Sequence, residues 1–93
     1  MIFHEWHDLD ETAGERRYYR AEKFGKKWKL KTTLKSDPDW EWLDPPPREM
    51  LEALRTVLSG KYQRRRVPYE DVVAIDKMVV AAGGETVITE IEK

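Results

Sequence analysis

Basic side chains in a period-two pattern are the residues of this 93-residue sequence best suited to bind an anion. Over residues 27–35, lysines alternate with Trp28, Leu30 and Leu34, so in an extended strand the cations share one side. A cationic sheet face with an aromatic ring among the bases neutralises phosphates and stacks a nucleobase. The predicted nucleic-acid interface comprises Arg16, Tyr18, Arg20, Lys27, Lys29, Lys31 and Lys35, and Arg64, Arg65 and Arg66 extend it if the fold brings them close.

The charge of the chain is segregated along the sequence. The net charge is −1, but residues 16–35 hold nine bases and one acid, and residues 36–54 hold six acids and one base. A near-neutral total therefore conceals a strongly basic segment. Two other interpretations stay open: the basic face is solvated and discourages edge-to-edge strand pairing, or the acidic residues 37–44 fold over it and neutralise it.

A second candidate surface is the pair Trp40 and Trp42, set among acidic residues. Because they are two positions apart, both side chains point the same way in an extended segment. Exposed tryptophans anchor protein partners, since tryptophan is enriched in the residues that dominate interface energetics. The favoured alternative is that at least one of them closes the small core, because a short chain depends on aromatic burial.

The sequence contains no motif that indicates metal binding or catalysis. His4 and His7 point to opposite faces of a strand, so no metal site is predicted. The chain has no cysteine, its serines lie in no nucleophile motif, and its glycines form no phosphate-binding loop. We therefore expect no enzyme activity, no cofactor and no metal.

Asp76 is the one carboxylate predicted inside an apolar helix stripe, with valines three and four residues away on both sides. A buried carboxylate is costly unless it is paired. An ion pair with an arginine of the 64–66 run is the favoured explanation, and a carboxyl with a shifted pKa in a pocket is the alternative.

The elements that must position these residues follow from periodicity. Residues 2–6 predict a short strand and residues 8–15 a loop. Residues 16–35 predict a hairpin that turns at Phe24–Gly25, with Glu22 opposite Lys27, which places Tyr19 and Ala21 on the core face.

Two helices and a final strand complete the prediction. The first helix begins at Pro47 and ends at Gly60, with one apolar side, and the second, more buried helix begins at Pro68 and ends at Gly83–Gly84. Alternating β-branched residues over 85–91 predict the strand. The fold class is therefore α+β: an antiparallel sheet of an N-terminal strand, a central hairpin and a C-terminal strand, with two helices packed on one face.

Length and composition predict a single domain over residues 1–93. We expect a cytoplasmic location, since no apolar run is long enough to span a bilayer and the N-terminus has acids where a signal peptide has bases. The predicted function is a small non-catalytic module that binds nucleic acid through the basic hairpin face. The alternative is protein interaction or homodimerisation, through the acidic tryptophan segment or a helix face.

Overall fold

The computed structural model describes residues 2–25, 27–37 and 39–88, and the chain divides into two compact units, residues 1–46 and 47–93. The first unit is a sheet and the second a pair of helices. The sheet has four antiparallel strands in sequential order: β1 (Ile2–Asp10), β2 (Glu15–Phe24), β3 (Lys27–Leu34) and β4 (Glu41–Leu43). The α+β class and the antiparallel sheet are confirmed. That the two units form a single domain, with the helices on one face of the sheet, stays a prediction.

The hairpin of β2 and β3 has the predicted faces but a different register. Gly25 has a φ of 61°, and Phe24 still belongs to β2 opposite Lys27, so Glu22 lies opposite Lys29 rather than Lys27. The predicted turn position was therefore wrong, because the chain reverses one residue later, where glycine takes the left-handed conformation without strain. A shift of two positions preserves the side-chain period, so Tyr19 and Ala21 still share a face with Trp28 and Leu30.

Strand β1 is longer than predicted and continues through Asp10, so the predicted loop over 8–15 shrinks to residues 11–14. Its polar residues fit a strand because they meet bases across the ladder: Glu5 lies opposite Arg20, and Asp8 opposite Arg17. Arg17 also donates a hydrogen bond of 2.8 Å from Nε to Asp10. Opposite charges on neighbouring strands thus stabilise a segment that lacks apolar alternation.

The two faces of the sheet differ in burial. One face buries His4, Ala21, Leu30 and Thr32, which are at most 5% exposed. The buried hydroxyl of Thr32 is satisfied because it donates a hydrogen bond of 2.8 Å to the carbonyl of Tyr18. The opposite face carries the predicted basic residues.

The helical unit contains α1 (Arg48–Gln63) and α2 (Tyr69–Ala81). The helices begin at Arg48 and Tyr69, one residue later than predicted, because Pro47 and Pro68 each precede the first helical residue. Gly60 does not end α1, contrary to the prediction; the helix continues to Gln63, where the ring of Tyr62 lies 5.0 Å from that of Tyr69. This contact in the last turn offsets the roughly 1 kcal/mol that an internal glycine costs a helix.

One apolar side of each helix forms the core of this unit. Its fully or nearly fully buried members are Met50, Leu51, Leu54 and Leu58 of α1 and Val72, Ile75 and Val79 of α2. The second helix ends before Gly83, which has a φ of 99°, as predicted. Within the described residues, neither helix is long and apolar enough to cross a membrane.

The C-terminal strand predicted over 85–91 is absent from residues 85–88, and residues 89–91 lie outside the described part of the chain. The backbone of residues 85–87 instead bonds to a buried ion pair. Arg55 donates to the carbonyl of Glu85 at 2.8 Å, and the amide of Val87 donates to Asp76 at 3.0 Å. Because these backbone groups serve side chains, they are not available to a strand ladder.

Candidate nucleic-acid interface

One face of the sheet brings the predicted basic residues together, and we call it the basic face. It carries the even-numbered side chains of β2 and the odd-numbered side chains of β1 and β3, which alternate away from the buried face. Lys35 follows β3 and stays attached to the sheet, because its amide donates to the carbonyl of Arg16 at 2.9 Å. The hairpin members of the predicted set are thus assembled on one surface: Arg16, Tyr18, Arg20, Lys27, Lys29, Lys31 and Lys35.

Exposed apolar side chains share this face, and sequence reasoning missed most of them. Phe3 is 47% exposed, Phe24 45% and Leu9 60%. Phe24 has the same parity as Glu22 in the hairpin, which was a usable signal. Phe3 and Leu9 depend on the register of β1, which the sequence does not specify.

Glu22 lies on the basic face opposite Lys29 and is only 6% exposed. Its carboxylate is 3.0 Å from Nε of Arg20 and 3.3 Å from Nζ of Lys31. Arg20 also pairs with Glu5 at 3.1 Å and stacks its guanidinium 3.9 Å above the ring of Phe3. Two of the predicted cations are therefore already neutralised within the protein.

The tryptophan segment lies beside the lysines of the basic face. Strand β4 pairs Trp42 with Lys31, whose Nζ is 4.7 Å from the ring centre of Trp42 and 5.4 Å from that of Trp40. The two side chains thus point the same way, as predicted. The expectation that one of them is buried in the core was wrong: they remain 37% and 50% exposed, because their rings pack on the lysine side chain instead.

The acids of the same segment form no ion pair with the lysines. Among the described residues, no ion pair joins an acid of residues 37–44 to a base of the sheet. Glu41 lies opposite Thr32, which places it on the other face. The segment contributes aromatic rings to the basic face, and one of its acids, Asp44, lies near Lys27 and Lys29 without pairing with either.

Four cations of the basic face have no acidic partner within the described residues: Arg16, Lys27, Lys29 and Lys35. Arg16 lies 2.9 Å from Nδ1 of His7, whose ring meets Tyr18 edge-on. Nζ of Lys29 stands 5.9 Å from the ring centre of Phe24 and 6.0 Å from that of Trp42. A free ammonium group between two exposed aromatic rings can neutralise a phosphate while the rings stack bases.

The charges of the sheet unit are also sorted along the strands. The turn at residues 11–14 and the segment that follows Leu34 lie at one end, where six acids outnumber three bases: Asp8, Asp10, Glu11, Glu15, Asp37 and Asp39 against Arg16, Arg17 and Lys35. The Gly25 turn lies at the other end, where Lys23, Lys27 and Lys29 outnumber Glu22 and Asp44. One end of the sheet therefore has a net negative charge and the other a net positive charge.

The remaining predicted bases belong to the helical unit. Arg64, Arg65 and Arg66 are all exposed in the loop between α1 and α2, where Arg65 has a φ of 60°. Within the described chain, no ion pair engages them. That they extend the basic face stays a prediction.

The histidines lie on opposite faces, as predicted, with His4 opposite Ala21 and His7 opposite Tyr18. His4 is buried and stacks on Trp28. No group of three or more histidine, aspartate or glutamate side chains in the described residues is arranged to hold a metal ion.

Asp76 is buried in an ion pair of the helical unit. Its partner is Arg55 of α1, at 2.7 Å, rather than an arginine of the 64–66 run. Burial raises the pKa of Asp76, but hydrogen bonds from Thr86, the Val87 amide and Arg55 outweigh it and hold that pKa below its ordinary value. The group is a stable anion that joins α1, α2 and residues 85–87.

Comparisons with known proteins found no match to this chain among protein families, curated proteins or solved structures.

Proposed function

We propose that this protein binds single-stranded nucleic acid through the basic face of its sheet. The observation that carries the proposal is the shared position of exposed aromatic rings and unpaired cations. Phe24 and Trp42 flank Lys29 at about equal distances, and Lys27 lies beside them in the same strand. Interleaved rings and cations are the features with which proteins hold a single strand without reading its sequence.

A single strand suits this face better than a duplex. Stacking on Phe24 or Trp42 requires a base whose flat side is free, which a double helix does not offer. Lys27, Lys29, Lys35 and Arg16 would hold the phosphates, because none of them is occupied by an acid of the described residues. Lys31 and Arg20 would instead support the rings on which the bases stack.

Lys27→Glu tests the proposal directly. Lys27 is exposed, unpaired within the described residues and opposite Phe24, so its replacement leaves the Glu22 cluster intact, whereas Lys29→Glu or Lys31→Glu would set a second carboxylate beside Glu22. We expect the variant to bind a labelled strand of about 12 nucleotides roughly tenfold more weakly at about 50 mM salt, because it loses one phosphate contact and gains a repulsive charge.

Lys77→Glu is the matched control, since Lys77 is an exposed lysine of α2 and the change in net charge is the same. It should bind like the unaltered protein, and the circular dichroism of both variants should be unchanged. Equal weakening by the two variants would reduce the effect to overall charge. Undetectable binding by the unaltered protein at low salt would remove the proposal.

The second candidate function is protein interaction through Trp40 and Trp42, and their exposure favours it. Tryptophans left on a surface among polar residues are common anchors of protein interfaces. Sedimentation equilibrium of the chain alone tests whether the partner is a second copy of this chain, because a homodimer that uses this surface doubles the solution mass. A monomer that also fails to bind oligonucleotides would leave a different protein as the partner.

A further inference from the structure

A pocket of about 410 Å³ opens beside β3 at the basic end of the sheet. It exists because β4 is short. Leu43 is the last residue of β4 and pairs with Leu30, so no strand of the described part of the chain pairs with residues 27–29 of β3 on that side. Pro45 and Pro46 lack the amide hydrogen that a longer ladder needs, and the chain leaves the sheet there.

Apolar, cationic and anionic side chains line this pocket. Trp42 supplies an exposed aromatic wall beside Trp28, Leu43 and Pro46, Lys27 and Lys29 supply cations, and Asp44 supplies a carboxylate. Asp44 is exposed, and within the described residues no hydrogen bond or ion pair engages its carboxylate. The volume of the pocket, about 410 Å³, falls in the range of small-molecule sites.

From this combination we infer that the pocket seats one guanine base attached to a phosphate. The inference rests on the proposed function and adds a base preference to it. A ring such as Trp42 stacks any base, but an ionised carboxylate only accepts hydrogen bonds, so Asp44 selects the base edge. Guanine presents two adjacent donors, N1–H and the 2-amino group, which match the two carboxylate oxygens. Thymine and uracil present one N–H between two carbonyl oxygens, which the carboxylate repels.

The lysines complete the assignment. Lys27 and Lys29 are two positions apart on one face of β3, so both reach the backbone of a strand whose base enters the pocket. A base alone would leave these cations without a partner, whereas a nucleotide uses all three kinds of group. The ligand chemistry is therefore that of a guanine nucleotide, either within a strand or free.

The test compares a strand of about 12 thymidines with the same strand carrying one central dG, by fluorescence anisotropy. We expect the dG strand to bind about tenfold tighter, the size of discrimination that a bidentate contact to a base supplies. Asp44→Asn should remove most of this preference and leave binding of the thymidine strand unchanged or slightly tighter. Asp39→Asn is the matched control, because it makes the same change in charge on the same segment, outside the pocket, and should keep the preference.

The outcomes separate this inference from the proposed function. Equal binding of both strands by the unaltered protein would overturn the guanine pocket and leave the proposed function standing. Free GMP that displaces the dG strand far better than free TMP would support the pocket and identify the free nucleotide as a ligand. Binding of GMP without binding of either strand would support the pocket and remove the proposed function. If the protein binds none of these ligands, both proposals fail.

Discussion

Glu22 is the residue on which the basic face depends. It is buried between Arg20 and Lys31, and these two side chains in turn pack on Phe3 and on Trp42. A carboxylate in this position neutralises Arg20 and Lys31, so the cations left free are Arg16, Lys27, Lys29 and Lys35. It also holds two long side chains in fixed positions beneath the exposed rings.

Replacing Glu22 with glutamine should therefore have two opposite effects. We expect the free energy of unfolding to fall by about 1–3 kcal/mol, because removal of one partner leaves two partly buried cations facing each other. Oligonucleotide binding at low salt should tighten, because the face gains one positive charge. Urea denaturation and a binding titration measure the two effects. A variant as stable as the unaltered protein would show that the ion pairs contribute nothing net.

At the scale of elements, the ion pair of Arg55 and Asp76 connects the two helices to the segment that follows them. Asp76→Asn should lower the free energy of unfolding by about 3 kcal/mol, because Arg55 would stay buried without a counter-charge. Glu52→Gln is the control: it breaks the exposed pair with Arg48 and should cost less than about 1 kcal/mol. Denaturation monitored by far-ultraviolet circular dichroism measures both free energies of unfolding. A similar loss of stability in the two variants would contradict the role assigned to the buried pair.

The same pair predicts a pH dependence with a definite sign. Because the pKa of Asp76 is lower in the folded protein than its ordinary value of 3.8, its contribution is complete above that value. It is lost as the pH falls below that value and through the folded pKa. The stability difference between the unaltered protein and Asp76→Asn should therefore shrink on acidification, and a constant difference would argue against this sign.

How much of each element the sequence predicts depends on how local its cause is. Alternation over residues 27–35 predicted which side chains share a face, because that period is a property of the strand itself. Register depends on where a single glycine turns the chain, and β4 exists only through pairing with β3. The partner of Asp76 was missed although Arg55 lies within the apolar stripe of α1, between Leu51 and Leu58, where a lone cation is itself a signal of a buried pair.

For the whole molecule, the salt dependence of binding reports which unit takes part. On a single strand, each phosphate that a cation neutralises contributes roughly 0.7 to the slope with which the logarithm of the binding constant falls as the logarithm of the salt concentration rises. The four unpaired cations of the sheet therefore predict a slope of about 3. If Arg64, Arg65 and Arg66 also bind, as their sequence pattern predicts, the slope rises to about 5. A slope of about 5 that returns to about 3 when the three arginines are replaced by alanine would show that they bind the strand as well.

An unchanged slope in that triple variant would confine the interface to the sheet. Sequence reasoning alone cannot decide between these results, because charge is counted along a chain whereas binding depends on where each charge lies in space. The net charge of −1 suggested a weak attraction for a polyanion. The unpaired cations of the sheet argue instead for a local one.

The sorting of charge along the strands gives the sheet unit an electric dipole moment, with its positive pole at the Gly25 turn. In the field of a nucleic acid this dipole experiences a torque, even though the unit has almost no net charge to be attracted by. The protein would therefore approach such a polymer turned with its Gly25 turn foremost, and the opening beside Trp42 would be among the first surfaces to meet it. Orientation before contact raises the rate of productive encounters, an advantage that dissolved ions cancel as they screen the field.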